Sequence, residues 1–201
     1  MPLFVMFYVV IELLLGPPLD VLIDSENGLP PGYNPGLNAQ AVRAIEELQE
    51  AADEQGITIE VNSGYRSFTY QAEVYTRENA EPGSDVSLFS ALPGHSEHQL
   101  GTAFDVVWPG VVMGASDPRN DLLYAWLEEN AHRFGFVLSY PYKRGDVWPY
   151  SNRFMPLVTA YIYEPWHLRF VGVELATSIF DAGYIDPNSP VLPQDFYQVW
   201  P

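Results

Sequence analysis

Apolar residues recur along this chain with two different periods, and the two intermix without settling into a strand-helix-strand repeat. That irregular mixture constrains the fold most, because it excludes a regular parallel sheet with crossover helices. The clearest helical pattern is LNAQAVRAIEELQEAADEQG, where Ala41, Val42, Ile45, Leu48 and Ala52 share a face, Asn38 can cap the start and Gly56 ends the run. Further helices are predicted over 68–80, over 118–135 with proline near its start and glycine at its end, and in GVELATSIFDAG up to Gly183. ITIEVNS alternates like a strand and predicts Ile57, Ile59 and Val61 on one face. LDVLID, TAFDVVW, FVLSY and TAYIY supply further short strands, while 81–96, an excursion at 141–156 and the tail to Pro201 read as irregular. The expected fold class is α+β, a mostly antiparallel sheet flanked by helices, as a single domain over 19–201.

Composition narrows what such a domain can do. There are 26 acidic against 9 basic residues, a formal charge of −17, and no basic stripe, so neither nucleic-acid binding nor strong docking on an anionic membrane surface is expected. Without cysteine there is no disulfide framework and no thiolate ligand, so any metal must be held by His, Asp or Glu. The apolar segment 1–18 contains Glu12, is short for a membrane span, and lacks the basic start and small-residue end of an export signal. It is read either as an atypical signal or as a buried element.

Two of the four histidines stand in PGHSEHQLGTAFDVVW, residues 93–108. His98 and Asp105 are seven positions apart. On a helix they would lie about 10 Å from one another, and on a straight strand they would point to opposite faces. They can share a ligand only if the chain bends between them, and Gly101 is where a bend is least costly. A second constellation, EPWH, runs from Glu164 to His167, where Pro165 stiffens the chain and holds Glu164 extended. Two histidines and an aspartate suit zinc with an open position for water, and a carboxylate such as Glu164 could move protons there. Each segment alone also reads as a polar turn or an aromatic-rich strand end.

Together, S-x-H-x-x-G-x-A-x-D and, some sixty residues on, E-P-W-H resemble the VanY-type D-alanyl-D-alanine carboxypeptidases, zinc peptidases grouped with lysostaphin-like and hedgehog-type folds. SGYRS (63–67) with Gln71 after it, PGHSEHQ (93–99) and FGFVLSYP (134–141) match in the same order, so the resemblance covers most of the chain. It implies one zinc ion held by His98, Asp105 and His167, Glu164 as catalytic base, and Arg66 facing the scissile carbonyl or the substrate carboxylate. It places Gln71, Ser96 and Tyr140 along the peptide pocket. His95 and Glu97 do not match metal positions and read as loop or supporting residues, and Trp166 as site wall. His132 reads as a structural residue, a cation near a helix C-terminus.

The chain departs from its relatives at Ser139, where an arginine is common, and in an insertion-like stretch, 142–158, that holds Lys143, Arg144 and Arg153. That cluster could meet an anionic substrate end or be a solvated loop. The implied activity is a zinc D,D-carboxypeptidase acting on peptidoglycan stem peptides or their precursors, hence outside the cytoplasm. The alternatives are an L,D-carboxypeptidase on tetrapeptides, a phage-type endopeptidase, or a non-catalytic zinc-containing binding domain.

Overall fold

The structure is a computed structural model and describes residues 18–80, 90–143 and 162–199. In chain order the elements are β1 (Val21–Leu22), α1 (Ala39–Asp53), β2 (Glu60–Ser63), α2 (Phe68–Asn79), β3 (Ala103–Val107), α3 (Pro118–Asn130), β4 (Phe136–Leu138), β5 (His167–Phe170), α4 (Val173–Asp181) and β6 (Gln198–Val199). Short 3₁₀ turns occupy Glu97–Leu100, Ala131–Phe134 and Pro193–Phe196. The N-terminal apolar segment lies outside the described residues except for Pro18, as do Arg144 and Arg153.

Helices α1, α2 and α3 begin where side chains satisfy their free N–H groups. Asn38 Oδ1 accepts from the backbone of Gln40 at 2.8 Å and Ala41 at 3.1 Å, Ser67 Oγ from Tyr70 at 3.2 Å, and Asp117 from Arg119 at 2.9 Å. Pro118 then occupies the first turn of α3, which ends in the 3₁₀ turn and Gly135. Ala41, Ala44, Ile45, Leu48 and Ala52 form the buried face of α1, with Val42 at its margin.

Four strands pair antiparallel in the order β2-β3-β5-β4, and β1 pairs in parallel with β6. Alternation along the two central strands sorts their side chains onto two faces. Phe104, Val106, Leu168 and Phe170 join Leu48, Leu123, Leu127, Phe136 and Ile179 in one apolar cluster. Full burial of such a side chain contributes about 1.5–3 kcal/mol. Asp105, His167 and Arg169 take the other face, and all three are buried as well. Register sets Ser63 opposite Asp105 and Asp105 opposite His167, a row across three strands. The pairing of β2 slips between Val61 and Ser63, a bulge that turns Ser63 toward that row.

Several sequence expectations are corrected here. Ile57 and Ile59 are buried, but Val61 is 37% exposed, because β2 is the sheet's edge and the apolar cluster does not extend over it. The strand expected at TAYIY does not form at Ile162 and Tyr163, and its remainder lies outside the described residues; the strand is instead HLRF, clasped between β3 and β4. The tail contributes β6. Lys143 is not a loop cation: it is buried, and Nζ donates to the carbonyls of Tyr184 (2.6 Å), Val191 (3.1 Å), Ser189 (3.2 Å) and Asp186 (3.4 Å). Among the described residues no helix is long and apolar enough to cross a membrane.

Candidate metal centre

His98 sits in the 3₁₀ turn Glu97–Leu100, which closes on Gly101 at φ 77°, ψ 12°. That left-handed conformation suits glycine, and the packing demands it: a Cβ there would stand 1.9 Å from the carbonyl oxygen of Gly36. The Gly101 carbonyl in turn accepts from the N–H of Asn38 at 2.9 Å, so the bend is pinned to the start of α1. Beyond it the chain enters β3, and the seven-residue interval between His98 and Asp105 folds back on itself. His167, the first residue of β5, arrives opposite Asp105. One ligand atom each from His98, Asp105 and His167 lies within 4.8 Å of the others, and all three residues are buried.

Hydrogen bonds fix what these rings present to one another. His98 Nδ1 lies 2.6 Å from the Gly64 carbonyl oxygen, which can only accept, so Nδ1 carries a proton. Burial lowers the pKa of this ring despite the nearby Asp105, leaving Nε2 with a lone pair directed at Asp105 Oδ2, 3.1 Å away. Two acceptors at that distance repel one another unless a cation serves both. His167 stands between two carboxylates, Nδ1 3.0 Å from Asp105 Oδ1 and Nε2 3.0 Å from Glu97 Oε2. Burial would lower its pKa, but the hydrogen bonds and charges of Asp105 and Glu97 outweigh that and raise it to about 10. Donors about 2.0–2.2 Å from a tetrahedral zinc ion stand ~3.4 Å apart; each histidine lies 3.0–3.1 Å from an Asp105 oxygen and the three ligand atoms lie within 4.8 Å of one another, so the donor set is of the kind and compactness that metal takes. A metal would take the Nδ1 position of His167 and leave Nε2–H on Glu97.

Around this triad the flanking turns aim two further groups. The N–H of Glu164 donates to the Tyr140 carbonyl, and the Glu164 carbonyl accepts from the N–H of His167, both at 3.1 Å. Pro165 and Trp166 form the intervening turn, so Glu164 is held three residues before His167. Burial raises the Glu164 pKa to about 8; His167 opposes the shift and Asp105 adds to it. Arg66 donates from Nη2 to Asp105 Oδ2 at 2.6 Å and from Nε to Ser63 Oγ at 2.9 Å. The bulge in β2 thus serves the site by placing the hydroxyl that steers this guanidinium.

The remaining candidates divide into two groups. Gln71 is buried and donates from Nε2 to the Ala91 carbonyl at 2.8 Å, while its Oε1 is buried with no partner among the described residues. Ser96 is buried at the head of the 97–100 turn, and the Tyr140 ring lies 5.1 Å from the ring of His167. His95 is drawn away, its Nδ1 2.8 Å from the Asp24 carbonyl. His132 stacks on Phe180 at 3.8 Å, and burial lowers its pKa, which disfavours the cationic form expected near a helix end. Trp166 packs within the apolar cluster, 6.4 Å from the Tyr124 ring. Ser139 is fully buried, and its hydroxyl donates to Glu97 Oε2 at 2.5 Å.

Glu97 and Arg169 are the site residues that sequence reasoning undervalued or missed. Glu97 is wholly buried, and Arg169 donates to it from Nη1 at 2.7 Å. Burial would raise the Glu97 pKa, but Arg169 and His167 hold it at about 2. Period-two alternation could have found Arg169, since His167 and Arg169 share a strand face, had HLRF been recognised as the strand; no local signal marks Glu97.

Comparison with known proteins accords with this geometry. Residues 34–173 match the family model VanY, D-alanyl-D-alanine carboxypeptidase. A D-alanyl-D-alanine carboxypeptidase of Enterococcus faecalis is 30% identical over 81% of this chain and 62% of its own length, so the chain spans less than two thirds of that relative. Among solved structures, a mutant of the vancomycin resistance D,D-pentapeptidase VanY in complex with Zn(II) superimposes with a TM-score of 0.67 at 28% identity, covering 88% of this chain and 97% of the other. The LD-carboxypeptidase LdcB gives a TM-score of 0.64 at 31% identity, covering 82% and 84%.

Proposed function

This chain belongs to the VanY family of D-alanyl-D-alanine carboxypeptidases, and from that premise we propose that it is a zinc D,D-carboxypeptidase. Its substrates are peptidoglycan stem peptides or their precursors, met outside the cytoplasm, and it removes their terminal D-alanine. The observation that carries the reading is the convergence of His98, Asp105 and His167 beside a buried Glu164.

His98, Asp105 and His167 would hold the zinc. When bound, the metal supplies a Lewis acid that polarises the scissile carbonyl and lowers the pKa of water. The Glu164 carboxylate takes a proton from the attacking water and returns it to the nitrogen of the departing D-alanine as the C–N bond breaks. A carboxyl raised toward neutrality suits a group that must both accept and give. With Nε on Ser63 and Nη2 on Asp105, Arg66 offers Nη1 to the developing oxyanion or the terminal carboxylate. The Gln71 Oε1 suits a substrate N–H, and Ser96 and Tyr140 line the peptide's path.

Release of D-alanine from muramyl pentapeptide and tetrapeptide, followed side by side, tests the substrate. Turnover of the pentapeptide is expected; turnover of the tetrapeptide alone would replace this reading with the L,D-carboxypeptidase one, which the likeness to LdcB favours. Glu164→Gln tests the role of the site: release should fall about 10²–10⁴-fold with zinc and peptide binding retained. Binding of both with no D-alanine release from either protein would make the domain a non-catalytic binder.

A further inference from the structure

The buried charge network does not stop at the metal-binding residues. Arg169, on the same strand face as His167, is completely buried. Its Nη1 donates to Glu97 Oε1 at 2.7 Å, and its Nη2 donates to the Leu19 carbonyl at 3.0 Å and to the Val21 carbonyl. Its guanidinium carbon lies 4.2 Å from the centroid of the Tyr197 ring. Leu19 lies two residues before β1 and Val21 opens it, whereas Tyr197 directly precedes β6, and β1 and β6 pair with each other. One guanidinium therefore clasps the ribbon formed by the two ends of the described chain. Its remaining fork reaches the carboxylate that accepts from His167.

We propose that Arg169 is a positioning residue for the metal site: it anchors Glu97, which holds the proton on His167 Nε2 and turns Nδ1 to the metal, so that the β1–β6 ribbon sets zinc affinity. The inference rests on the zinc reading of His98, Asp105 and His167. Its chemistry follows from the fork. Glu97 offers two oxygens, and each is assigned: Oε1 to Arg169, Oε2 to His167 and the Ser139 hydroxyl. Without Arg169 the carboxylate can rotate, and an undirected Glu97 no longer holds the His167 ring in one orientation. A lysine keeps the charge but cannot reach one carboxylate and two carbonyls from a planar fork.

The experiment measures zinc affinity of the full chain by competition with a chelator, and the visible spectrum of the Co²⁺-substituted protein. The proteins are wild type, Arg169→Lys, Arg169→Met, Glu97→Gln and Tyr197→Leu. Near-UV circular dichroism of the metal-free proteins serves as the folding control. Arg169→Met and Glu97→Gln are expected to weaken zinc binding about 10–100-fold, Arg169→Lys less, and Tyr197→Leu a few-fold, each with an altered Co²⁺ spectrum. Tyr197→Leu keeps every polar contact of Arg169, so it remains informative if Arg169→Met fails to fold. Wild-type affinity and an unchanged spectrum in folded Glu97→Gln, or in Tyr197→Leu, would overturn the relay. Failure of the wild type itself to bind zinc would instead overturn the metal reading beneath it.

Discussion

The two faces of the central sheet are buried to a similar depth and built from the same strands, yet they obey different rules. On one, Phe104, Val106, Leu168 and Phe170 pack into an apolar cluster, where removing atoms costs in proportion to the volume lost. On the other, Asp105, His167 and Arg169 lie beneath Glu97, His98 and Arg66, where each charge is tolerable because a partner of opposite sign lies beside it. Adjacent residues of one strand, such as His167 and Leu168, thus differ in what a substitution should do. A change on the apolar face should lower stability and leave metal affinity alone. A change on the charged face should alter both.

The largest effect is expected for Asp105→Asn. It removes a proposed metal ligand and leaves the partly buried Arg66 and the buried His167 without their shared carboxylate. Zinc affinity should fall beyond the roughly 100-fold that loss of a supporting residue costs, and the metal-free protein should lose about 3–5 kcal/mol. Titration with zinc and chemical denaturation check the two together. If stability held while affinity collapsed, the charged face would not be the network described. Leu168→Ala is the matched probe one peptide unit from His167. It should cost about 2–5 kcal/mol in denaturation, with zinc affinity of the folded protein unchanged. A parallel loss of affinity would show that the two faces are mechanically one.

Gly101→Ala should blur the distinction at the position where both faces begin. The left-handed backbone alone costs about 1–3 kcal/mol for alanine, and its Cβ would collide with the Gly36 carbonyl. Because Gly101 separates His98 from β3, the same substitution should shift His98 relative to Asp105. Lower stability and weaker zinc binding are expected together; lower stability alone would mean that the bend absorbs the strain without moving the ligands.

The faces were not equally legible in the amino-acid sequence. Helix α1 could be read from Asn38 to Gly56 because its cap, its spacing and its stop are local features. The bend at Gly101 was legible from chemistry, since a shared ligand demands it. The strand β5 was misplaced because HLRF carries two ionisable residues and looks like the end of a motif; it is a strand only because β3 and β4 hold it on either side. Val61 was expected to share a face with Ile57 and Ile59, and nothing local marks a sheet's edge. Lys143 and Arg169 read as surface cations or went unremarked, since the carbonyls that accept from them come from segments roughly 40 to 150 residues away. Buried charge is specified by tertiary structure, and neither period nor propensity registers it.

His132 offers the smallest and most selective test, on the apolar side. Its ring stacks on Phe180 of α4 with an interplanar angle of 10°, and burial lowers its pKa, with Arg133 adding to the shift and Asp181 opposing it. A histidine whose folded pKa is depressed binds fewer protons folded than unfolded. Its contribution is therefore complete above the unfolded value of about 6.5 and is lost as pH falls below that value and through the lower folded one. Partial exposure screens the effect, which should shift the melting temperature by less than ~2 °C between pH 7.5 and 5.5. His132→Phe keeps a ring on Phe180 and removes the titration, so its melting temperature should fall less over that interval than that of the wild type. Zinc affinity should be equal in the two proteins at every pH, because nothing on the apolar face supports the metal residues through charge. A pH-dependent difference in zinc binding between them would extend the charged network across the sheet and end the separation on which the comparison rests.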